Sequence, residues 1–587
     1  MNAFVDYLNS MHNIKGDGLG ALAERQIQSP YSKYCHVPRR LGLIIADNIR
    51  LGNNKAYIIT GHAGDGKTSI LVQVLRALDM IQPGELLSRE KECANSQGKL
   101  YYVKDMSEVR PSQRAVYLKK ALTAPSNGMS SILISNTGPL LSSFEDVVRT
   151  DCEADGQEYE SIRSEVQTKL LNQLDSNQSG ERTIGGYTFS MINIARIDNV
   201  SFAGAFLDKI LNDDLWLPCQ ACEKREKCPI CHNRNLLKTN TGRVKAFINA
   251  YLRYAYEFDQ RLTIRQIQAQ ICYALTGGLS CKGITSYKTY SYFKYGFPNL
   301  FFGYQGGEEY ADALKVRAIR MLHDMDLDAI ALPVDYDLFV KGEIESFPDD
   351  VQKTIETNIL AKLRMLNRGS DADIKDRNKK MIALRRSLRR YFLLLGEVQQ
   401  MNGFDCVFGE GFSIYEEASS IAHLPRPKLN KIRDYIFNAL YLDNTGFLPQ
   451  RGSDNQVPLT LHRKDGIFQS VMLVLRHVQK SELKIVQRKK DCEYEDDQAR
   501  QRVLLDARGK VFFISLPLFL YFVKQSTGAV TPACNPALTH NIARLETMLA
   551  DVFIKEEEST DIELLTNTTK GQKYQSLYIS EDKIHLG

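Results

Sequence analysis

The sequence has little tryptophan, little net charge and no long hydrophobic run. Of 587 residues only one is Trp, and 75 Lys and Arg side chains nearly balance 70 Asp and Glu, which leaves a formal charge of +5. So small a net charge does not by itself indicate nucleic-acid binding, and any basic surface must be local. The longest apolar stretch, residues 511–523, is shorter than the ~20 residues of a membrane span and contains Pro517. We interpret it as a pair of buried strands.

The N-terminal segment lacks the apolar run of a signal peptide, because Asp6 interrupts it. We therefore expect a cytoplasmic protein with no membrane partner. In that compartment, clustered cysteines bind metal more often than they form disulfides. The apolar (43%) and charged (25%) fractions are ordinary, which excludes a disordered or collagen-like chain. At ~150 residues per domain, the length predicts several domains.

Short apolar runs alternate with helical patterns over the first 200 residues. The run 56–60 precedes a glycine-rich loop and then an amphipathic segment. Further runs end at Asp105 and Asn136, and another covers 187–197. This alternation predicts an α/β fold with a parallel sheet.

The loop after the first run, GHAGDGKTS, fits the phosphate-binding pattern GxxxxGK[ST] in the required context of strand and helix. Glycines let the backbone amides face phosphate oxygens, and the helix N-terminus adds partial positive charge. The pattern predicts that Lys67 reaches the β and γ phosphates of ATP and that the Thr68 hydroxyl binds Mg²⁺. The nucleotide-binding residues are Gly61, His62, Ala63, Gly64, Asp65, Gly66, Lys67, Thr68 and Ser69.

Hydrolysis needs further groups near the magnesium. Asp105 ends the next candidate strand and is the expected second Mg²⁺ ligand, but Met106 stands where a catalytic Glu usually follows. Glu108 is the nearest carboxylate, and it is either a catalytic base or a solvated loop residue. Asn136 either orients the attacking water or forms a turn before Thr137.

The order of phosphate loop, acid-tipped strand and Asn-tipped strand resembles the AAA+ family of ATPases. That resemblance implies that Asn136 acts as sensor 1. It also implies an arginine on a helical lid, sensor 2, for which Arg265 in LTIRQIQAQICYAL is the match. Arg196 is a weaker match to an arginine that contacts the nucleotide of a neighbouring subunit, which would require a homo-oligomer.

Four cysteines form two CxxC pairs five residues apart: Cys219, Cys222, Cys228 and Cys231. Four thiolates complete a tetrahedral zinc site with no open position, so the expected role is structural. An iron–sulfur cluster is an alternative, because four-cysteine sets also hold clusters. Free or disulfide-linked thiols are a third. Trp216 is expected to pack against this knuckle.

A basic segment, residues 375–390, interrupts the otherwise balanced charge. It predicts contact with a DNA backbone, since Lys and Arg gain affinity by displacing counterions. Equally open is a solvated helix face whose Ile382, Leu384 and Leu388 point to the core, or a docking face for an acidic partner. The candidate DNA-contact residues are Lys379, Lys380, Arg385, Arg386, Arg389 and Arg390. No nuclease motif stands out.

Four segments together resemble one bacterial family, the DptF (DndF) component of DNA phosphorothioation-dependent restriction systems. They are the GHAGDGKTS loop, the cysteine knuckle, the lid RLTIRQIQAQICYALTGGLSC and the stretch LPLFLYFVKQSTGAVTP. The resemblance implies an ATPase subunit of an antiviral complex that acts on DNA with partner subunits. Because Met106 replaces the usual Glu, an alternative is a nucleotide-gated scaffold or signalling ATPase that recruits an effector without appreciable turnover.

The expected fold is therefore an AAA+-like P-loop NTPase core with an inserted four-cysteine knuckle and a helical lid, followed by helical and α+β regions. The expected cofactors are ATP, Mg²⁺ and Zn²⁺. The predicted segments are an ATPase core over 1–205, the knuckle over 206–240, the lid over 241–290, a mostly helical domain over 291–450 and an α+β domain over 451–587.

Overall fold

The computed structural model describes residues 1–12, 28–82, 84–154, 159–176, 180–286, 291–368, 374–398, 402–450, 455–461, 470–490, 493–528, 535–553, 562–568, 571–580 and 583–586. The predicted boundary at residue 451 and the last residues of the LPLFLYFVKQSTGAVTP stretch lie outside these ranges. The chain divides into two compact units. Unit 1 comprises the described parts of 1–256, 260–401 and 492–497, and unit 2 those of 257–259, 402–491 and 498–587. The predicted segment 291–450 spans parts of both units, and the five predicted segments stay a prediction.

Unit 1 contains a six-stranded sheet in the order β2-β3-β4-β1-β6-β5. Its strands are β1 (Ala56–Thr60), β2 (Glu90–Asn95), β3 (Gly98–Val103), β4 (Ser130–Ile134), β5 (Arg182–Ile184) and β6 (Tyr187–Asn193). The four central strands β3, β4, β1 and β6 are parallel, and the two edge strands pair antiparallel. The predicted α/β fold with a parallel-containing sheet is confirmed.

The strands of this sheet are apolar because both of its faces are covered. Successive side chains of a strand point to opposite faces. Thus Ile58 of β1 lies in one buried cluster with Val103 and Leu133, while Tyr57 and Ile59 lie in the other. A sheet covered on both sides requires the continuous apolar runs that the sequence contains.

Helices surround this sheet and continue through the rest of unit 1. A two-stranded ribbon, β7 (Tyr304–Gln305) and β8 (Glu308–Glu309), lies among them. The helices are α1 (Ala3–His12), α2 (Ser32–Cys35), α3 (Arg40–Arg50), α4 (Lys67–Ala77), α5 (Pro111–Thr123), α6 (Thr137–Ala154), α7 (Glu160–Ser176), α8 (Val200–Ile210), α9 (Leu217–Gln220), α10 (Pro229–Thr239), α11 (Thr241–Glu257), α12 (Ile264–Thr276), α13 (Cys281–Ser286), α14 (Phe297–Phe301), α15 (Arg317–Asp324), α16 (Asp349–Ile355), α17 (Ala361–Arg368) and α18 (Ile374–Leu395).

Residues 493–497 also belong to unit 1, although the chain on either side of them belongs to unit 2. Tyr494 packs in the cluster of Tyr57 and Ile59. Arg39 pairs with the Asp496 carboxylate, whose other oxygen accepts the backbone N–H of Arg40 at 2.8 Å. This short acidic segment is thus fixed by both apolar and ionic contacts.

Unit 2 contains two antiparallel sheets with helices. Its helices are α19 (Gly403–Phe408), α20 (Phe412–Ser420), α21 (Arg426–Thr445), α22 (Leu516–Ser526) and α23 (Pro536–Phe553). The larger sheet has the order β16-β15-β14-β10-β9, and the smaller has the order β11-β12-β13. The strands are β9 (Gln456–Leu461), β10 (Val471–Gln479), β11 (Leu483–Lys489), β12 (Gln501–Ala507), β13 (Lys510–Phe513), β14 (Ile562–Thr568), β15 (Gly571–Ser580) and β16 (Lys583–Leu586).

The apolar stretch 511–523 is not a pair of strands, so that prediction is wrong. Strand β13 ends at Phe513, and helix α22 begins at Leu516 with Pro517 in its first turn. Proline is tolerated there because the first helical N–H groups have no partner within the helix. A continuous apolar run has no periodicity that separates a buried strand from a buried helix. Among the described residues, no helix is both long and apolar enough to cross a membrane.

Candidate functional site

The glycine-rich loop joins the carboxyl end of β1 to the first residue of α4. From β1 the chain passes to β3, returns to β4 beside β1, and then crosses to β6 on the other side of β1. In open parallel sheets, ligands bind outside the carboxyl ends of the strands where the strand order reverses in this way. The topology therefore puts the loop at the edge of the sheet where a site is expected.

Two glycines of the loop have a backbone conformation and close neighbours that disfavour a side chain. Gly64 and Gly66 have φ of 93° and 90°, a left-handed conformation that other residues rarely adopt. A Cβ on Gly64 would lie 3.1 Å from the Thr263 hydroxyl and 3.2 Å from the Cβ of Arg265. The segment before α12 thus packs directly on the loop. Thr68 and Ser69 lie half-buried in the first turn of α4, while His62 and Ala63 are exposed.

Lys67 is buried in the loop, with only 7% of its surface exposed. Its ammonium donates to the carbonyls of Gly61 (2.7 Å) and His62 (3.0 Å) and to the Asn136 side-chain oxygen (3.2 Å). Burial lowers the pKa of Lys67, while the charges of Asp105 and Asp65 raise it and that of Arg265 lowers it. Lys67 therefore lies within electrostatic range of three charged groups from separate segments.

The two predicted acids have different surroundings. The Asp105 carboxylate accepts hydrogen bonds from the backbone N–H (2.8 Å) and hydroxyl (2.7 Å) of Ser107. Glu108 is 46% exposed and pairs with Lys104 at 3.1 Å. The charge of Asp105 raises the pKa of Lys67, whereas the carboxylate of Glu108 pairs with a different lysine.

Asn136 follows β4 and precedes α6, so its side chain lies at the same edge of the sheet as the loop. Its contact with Lys67 brings together two residues that are 69 positions apart in the chain. Arg265 is next to the loop through its backbone, whose N–H donates to the Gly64 carbonyl at 3.1 Å. Burial lowers the pKa of the Arg265 guanidinium.

The sequence did not predict an ion pair that joins the loop to the segment before α12. The Asp65 carboxylate, fully buried, accepts from an Arg261 guanidinium N–H at 2.7 Å and from the His62 backbone N–H at 3.0 Å. The acid itself was the one signal, since a carboxylate that becomes buried requires a nearby cation. The sequence could not show which of the many arginines supplies it.

Arg196, the candidate for contact with a neighbouring subunit, lies in a short turn after β6. Its guanidinium pairs with Asp175 at 2.9 Å, and both side chains are more than half exposed. Exposed pairs of this kind contribute little to stability.

The cysteine segment forms the turns around α9 and the start of α10. Cys228 and Cys231 are buried, and Cys219 and Cys222 are partly exposed. Hydrogen bonding from Cys231 lowers the pKa of Cys219 to about 6 and that of Cys228 to about 7, and the same contacts raise that of Cys231. Cys231 therefore affects the pKa of both other thiols. Among the described residues, no group of three or more His, Cys, Asp and Glu side chains is arranged as a ready metal site.

Trp216 is buried close to this segment in the chain. Its indole N–H donates to the Ile210 carbonyl at 2.8 Å, and its ring meets the edge of Phe4 with 5.6 Å between centroids. The Arg234 guanidinium lies over the same ring. Trp216 thus contacts α1 through Phe4 and α10 through Arg234. Its packing against the four-cysteine knuckle stays a prediction.

The basic segment forms part of α18, but three of its arginines bind acids of unit 1. Arg390 is fully buried and donates to Asp328 (2.6 Å), Asn299 (3.0 Å) and the Gly306 carbonyl (3.0 Å). Arg389 pairs with Asp335 at 2.6 Å, and Arg386 with Asp326 and Asp328. DNA contact by Arg390 was a wrong prediction, because its guanidinium does not reach the surface.

The outer face of α18 has a different character. Lys379, Lys380 and Arg385 are exposed, and Lys380 pairs with Asp376 one turn away at 2.5 Å. Leu384 and Leu388 are buried as expected, whereas Ile382 is 56% exposed. DNA contact therefore stays a prediction for the exposed residues.

No protein-family model matches this sequence, and no curated protein or solved structure was found to match it. The side chains gathered at the carboxyl end of β1 are therefore the features that indicate a function.

Proposed function

We propose that this protein binds ATP with Mg²⁺ at the Gly61–Thr68 loop and hydrolyses it. The observation that carries the proposal is the hydrogen bond from Lys67 to Asn136, which follows β4, together with the bond from the Arg265 backbone at the start of α12 to Gly64. Residues so distant in sequence meet at the one edge of the sheet where an α/β fold binds ligands.

The residues of the loop suit a polyphosphate. Backbone N–H groups of the loop and of the first turn of α4 would donate to phosphate oxygens, helped by the helix dipole. Lys67 would exchange its hydrogen bonds to loop carbonyls for bonds to phosphate oxygens. The Asp105 carboxylate and Thr68 hydroxyl are the oxygen donors that Mg²⁺ prefers, so the donor set fits this ion. Mg²⁺, when bound, neutralises charge on the transferring phosphate.

Hydrolysis also requires an oriented water. The Asn136 side chain is the candidate, because its oxygen accepts a hydrogen bond from Lys67, the residue expected to reach the terminal phosphate. Arg265, whose backbone N–H donates to Gly64 of the loop, would stabilise developing negative charge. We assign the fold on this basis as an AAA+-like P-loop core whose lid comprises α11 and α12. Membership of the DptF family, a role in antiviral DNA restriction and partner subunits rest on the sequence resemblance.

We also propose a structural zinc at the four cysteines. Thiolates are the ligands that zinc prefers in closed sites. The hydrogen bonding that lowers the pKa of Cys219 and that of Cys228 comes in both cases from Cys231, which supports a shared ligand set. Cys222, which completes the first CxxC pair, is the fourth donor. The alternative of an iron–sulfur cluster uses the same residues.

Phosphate release by the purified protein tests hydrolysis. Lys67→Ala and Asn136→Ala should each lower the rate by about a hundredfold or more, since phosphoryl transfer depends on positioned charge and hydrogen-bond donors. Lys55→Ala is a matched control, because Lys55 precedes β1 at the opposite end of the strand and pairs with Glu181. Equal rates for wild type and Lys67→Ala, with and without DNA, would refute an ATPase at this loop.

A nucleotide-gated scaffold is the second candidate. It is favoured by the pairing of Glu108 with Lys104 and by Met106 after Asp105, which leave no assigned carboxylate base. In that case Lys67→Ala should abolish assembly with partner proteins, whereas Glu108→Gln should leave assembly and function intact. Loss of function in Glu108→Gln with assembly retained would favour hydrolysis instead.

A further inference from the structure

We infer that Arg261 is a positioning residue for the glycine-rich loop. By pairing with Asp65, Arg261 holds the loop in its conformation and neutralises the negative charge that Asp65 brings into the loop. This inference rests on the proposed nucleotide site, and it assigns a role to two residues that the phosphate-binding pattern leaves without one.

The pairing is largely buried. The Asp65 side chain is 0% exposed and that of Arg261 13%. One carboxylate oxygen accepts from Arg261 at 2.7 Å, and the other accepts from the His62 backbone N–H at 3.0 Å. Both acceptor atoms of Asp65 are therefore used, and the carboxylate is turned toward the segment that precedes α12.

Arg261 joins the loop to a second element. Its other guanidinium nitrogen donates to the Ile194 carbonyl at 3.1 Å, in the turn that follows β6. The same turn touches the start of the loop, since a Cβ on Gly61 would lie 2.7 Å from the Ile194 side chain. One guanidinium thus fixes the middle of the loop against the turn that supports its beginning.

Asp65 creates an electrostatic problem that Arg261 solves. Its carboxylate is close enough to Lys67 to affect the pKa of that lysine, and Lys67 is the residue expected to reach the phosphates. An unpaired buried carboxylate at that position would repel a polyphosphate and would be strongly destabilising in itself. Neutralisation by Arg261 leaves Lys67 as the uncancelled positive charge of the loop.

The simultaneous bonds to the Asp65 carboxylate and the Ile194 carbonyl suit a guanidinium better than an ammonium. The planar fork of a guanidinium can donate to a carboxylate and to a carbonyl at the same time, whereas a lysine ammonium is a single point charge on a flexible stem. Arg261 also lies four residues before Arg265, whose backbone N–H donates to Gly64. A displacement of the loop by phosphate would therefore be transmitted to the start of α12 through both arginines.

A double-variant cycle tests the inference on the full-length protein. Arg261→Met, Asp65→Asn and the double variant are compared for thermal unfolding without nucleotide and for equilibrium binding of ATP with Mg²⁺. Arg261→Met alone should lower the unfolding midpoint by several degrees and weaken ATP binding by about tenfold or more, because it leaves a buried carboxylate unpaired. Adding Asp65→Asn should recover most of both losses. Arg149→Met, which breaks an exposed pair with Asp146, should change neither.

Three outcomes would overturn the inference, each in a different way. If the two substitutions act additively on unfolding, Arg261 does not act through Asp65. If the double variant binds ATP as poorly as Arg261→Met, then Arg261 contacts the nucleotide directly and is not a positioning residue. If the wild type binds no ATP while the substitutions still couple in unfolding, the proposed function fails and the pair is only a structural contact.

Discussion

Neighbouring arginines of α18 have opposite environments. Arg385 is exposed, whereas Arg390, five residues later, is fully buried between Asp328, Asn299 and the ring of Tyr304. Helical geometry explains the difference, because 3.6 residues per turn place the two side chains on opposite faces. A count of positive charges along the segment therefore overstates the charge that faces solvent.

Removal of the buried arginine should cost far more stability than removal of the exposed one. Arg390→Met leaves the Asp328 carboxylate, itself 2% exposed, partly uncompensated inside unit 1. We expect a loss of ~3–5 kcal/mol for Arg390→Met and less than ~0.5 kcal/mol for Arg385→Met. Denaturant unfolding followed by circular dichroism measures both. Similar losses for the two variants would contradict the assignment of Arg390 to the core.

The lowered pKa of Lys67 predicts a pH dependence of ATP binding. Because burial lowers this pKa, Lys67 loses its proton at a lower pH than an exposed lysine, and the charge that attracts phosphate is lost with it. Affinity for ATP should be constant near neutral pH. It should then decline as the pH rises, and the decline should begin at a lower pH than the ordinary pKa of lysine would predict. Titrations between neutral and alkaline pH measure this. In Lys67→Arg, which keeps its charge, the decline over the same range should disappear, and an unchanged decline would point to another group.

At the scale of elements, the cysteine segment makes a testable prediction about metal content. A single closed site should hold about one zinc per chain by elemental analysis. Cys231→Ser should lose the metal, since Cys231 interacts with both Cys219 and Cys228. A chelator should lower the thermal midpoint of wild type, because binding energy in such sites contributes to folding. Cys406→Ser, which changes an exposed cysteine elsewhere, is the control. Stoichiometric iron together with visible absorbance would show that the four cysteines hold an iron–sulfur cluster and not zinc.

The exposed face of α18 provides a sharper test of DNA binding than the whole basic segment. Reversal of Lys379, Lys380 and Arg385 to Glu should weaken DNA binding and reduce its salt dependence, as expected when phosphate contacts are lost. The matched control reverses Arg149, Arg163 and Lys169, which are half-exposed on α6 and α7. Equal effects of the two sets, or none, would favour a solvated face or an acidic partner.

The sequence predicted these elements unevenly, for physical reasons. Strand β1 and the loop after it could be predicted because local pattern and turn chemistry agree there. Helix α22 could not, since its apolar run lacks a periodicity. The pairs Asp65–Arg261 and Asp328–Arg390 join residues 196 and 62 positions apart, and one sequence contains no signal for such partners.

At the scale of the whole molecule, the candidate nucleotide site lies within unit 1. The loop, Asp105, Asn136, Arg261 and Arg265 all belong to that unit, as do the four cysteines and α18. Unit 2, with its two antiparallel sheets, has no proposed chemistry. Partner subunits and DNA, which the sequence resemblance implies, are therefore best sought with the full chain, and co-purification with co-expressed genomic neighbours would identify them.

Equilibrium binding of ATP to the full-length protein tests the central claim most directly, because it needs neither DNA nor a partner. Isothermal titration with Mg²⁺ present should give about one ATP per chain for wild type, the stoichiometry of a single phosphate loop. Lys67→Ala should abolish the binding, while Lys55→Ala should bind as wild type does. Binding that survives Lys67→Ala unchanged, or its absence from a folded wild-type protein, would contradict a nucleotide site at the Gly61–Thr68 loop.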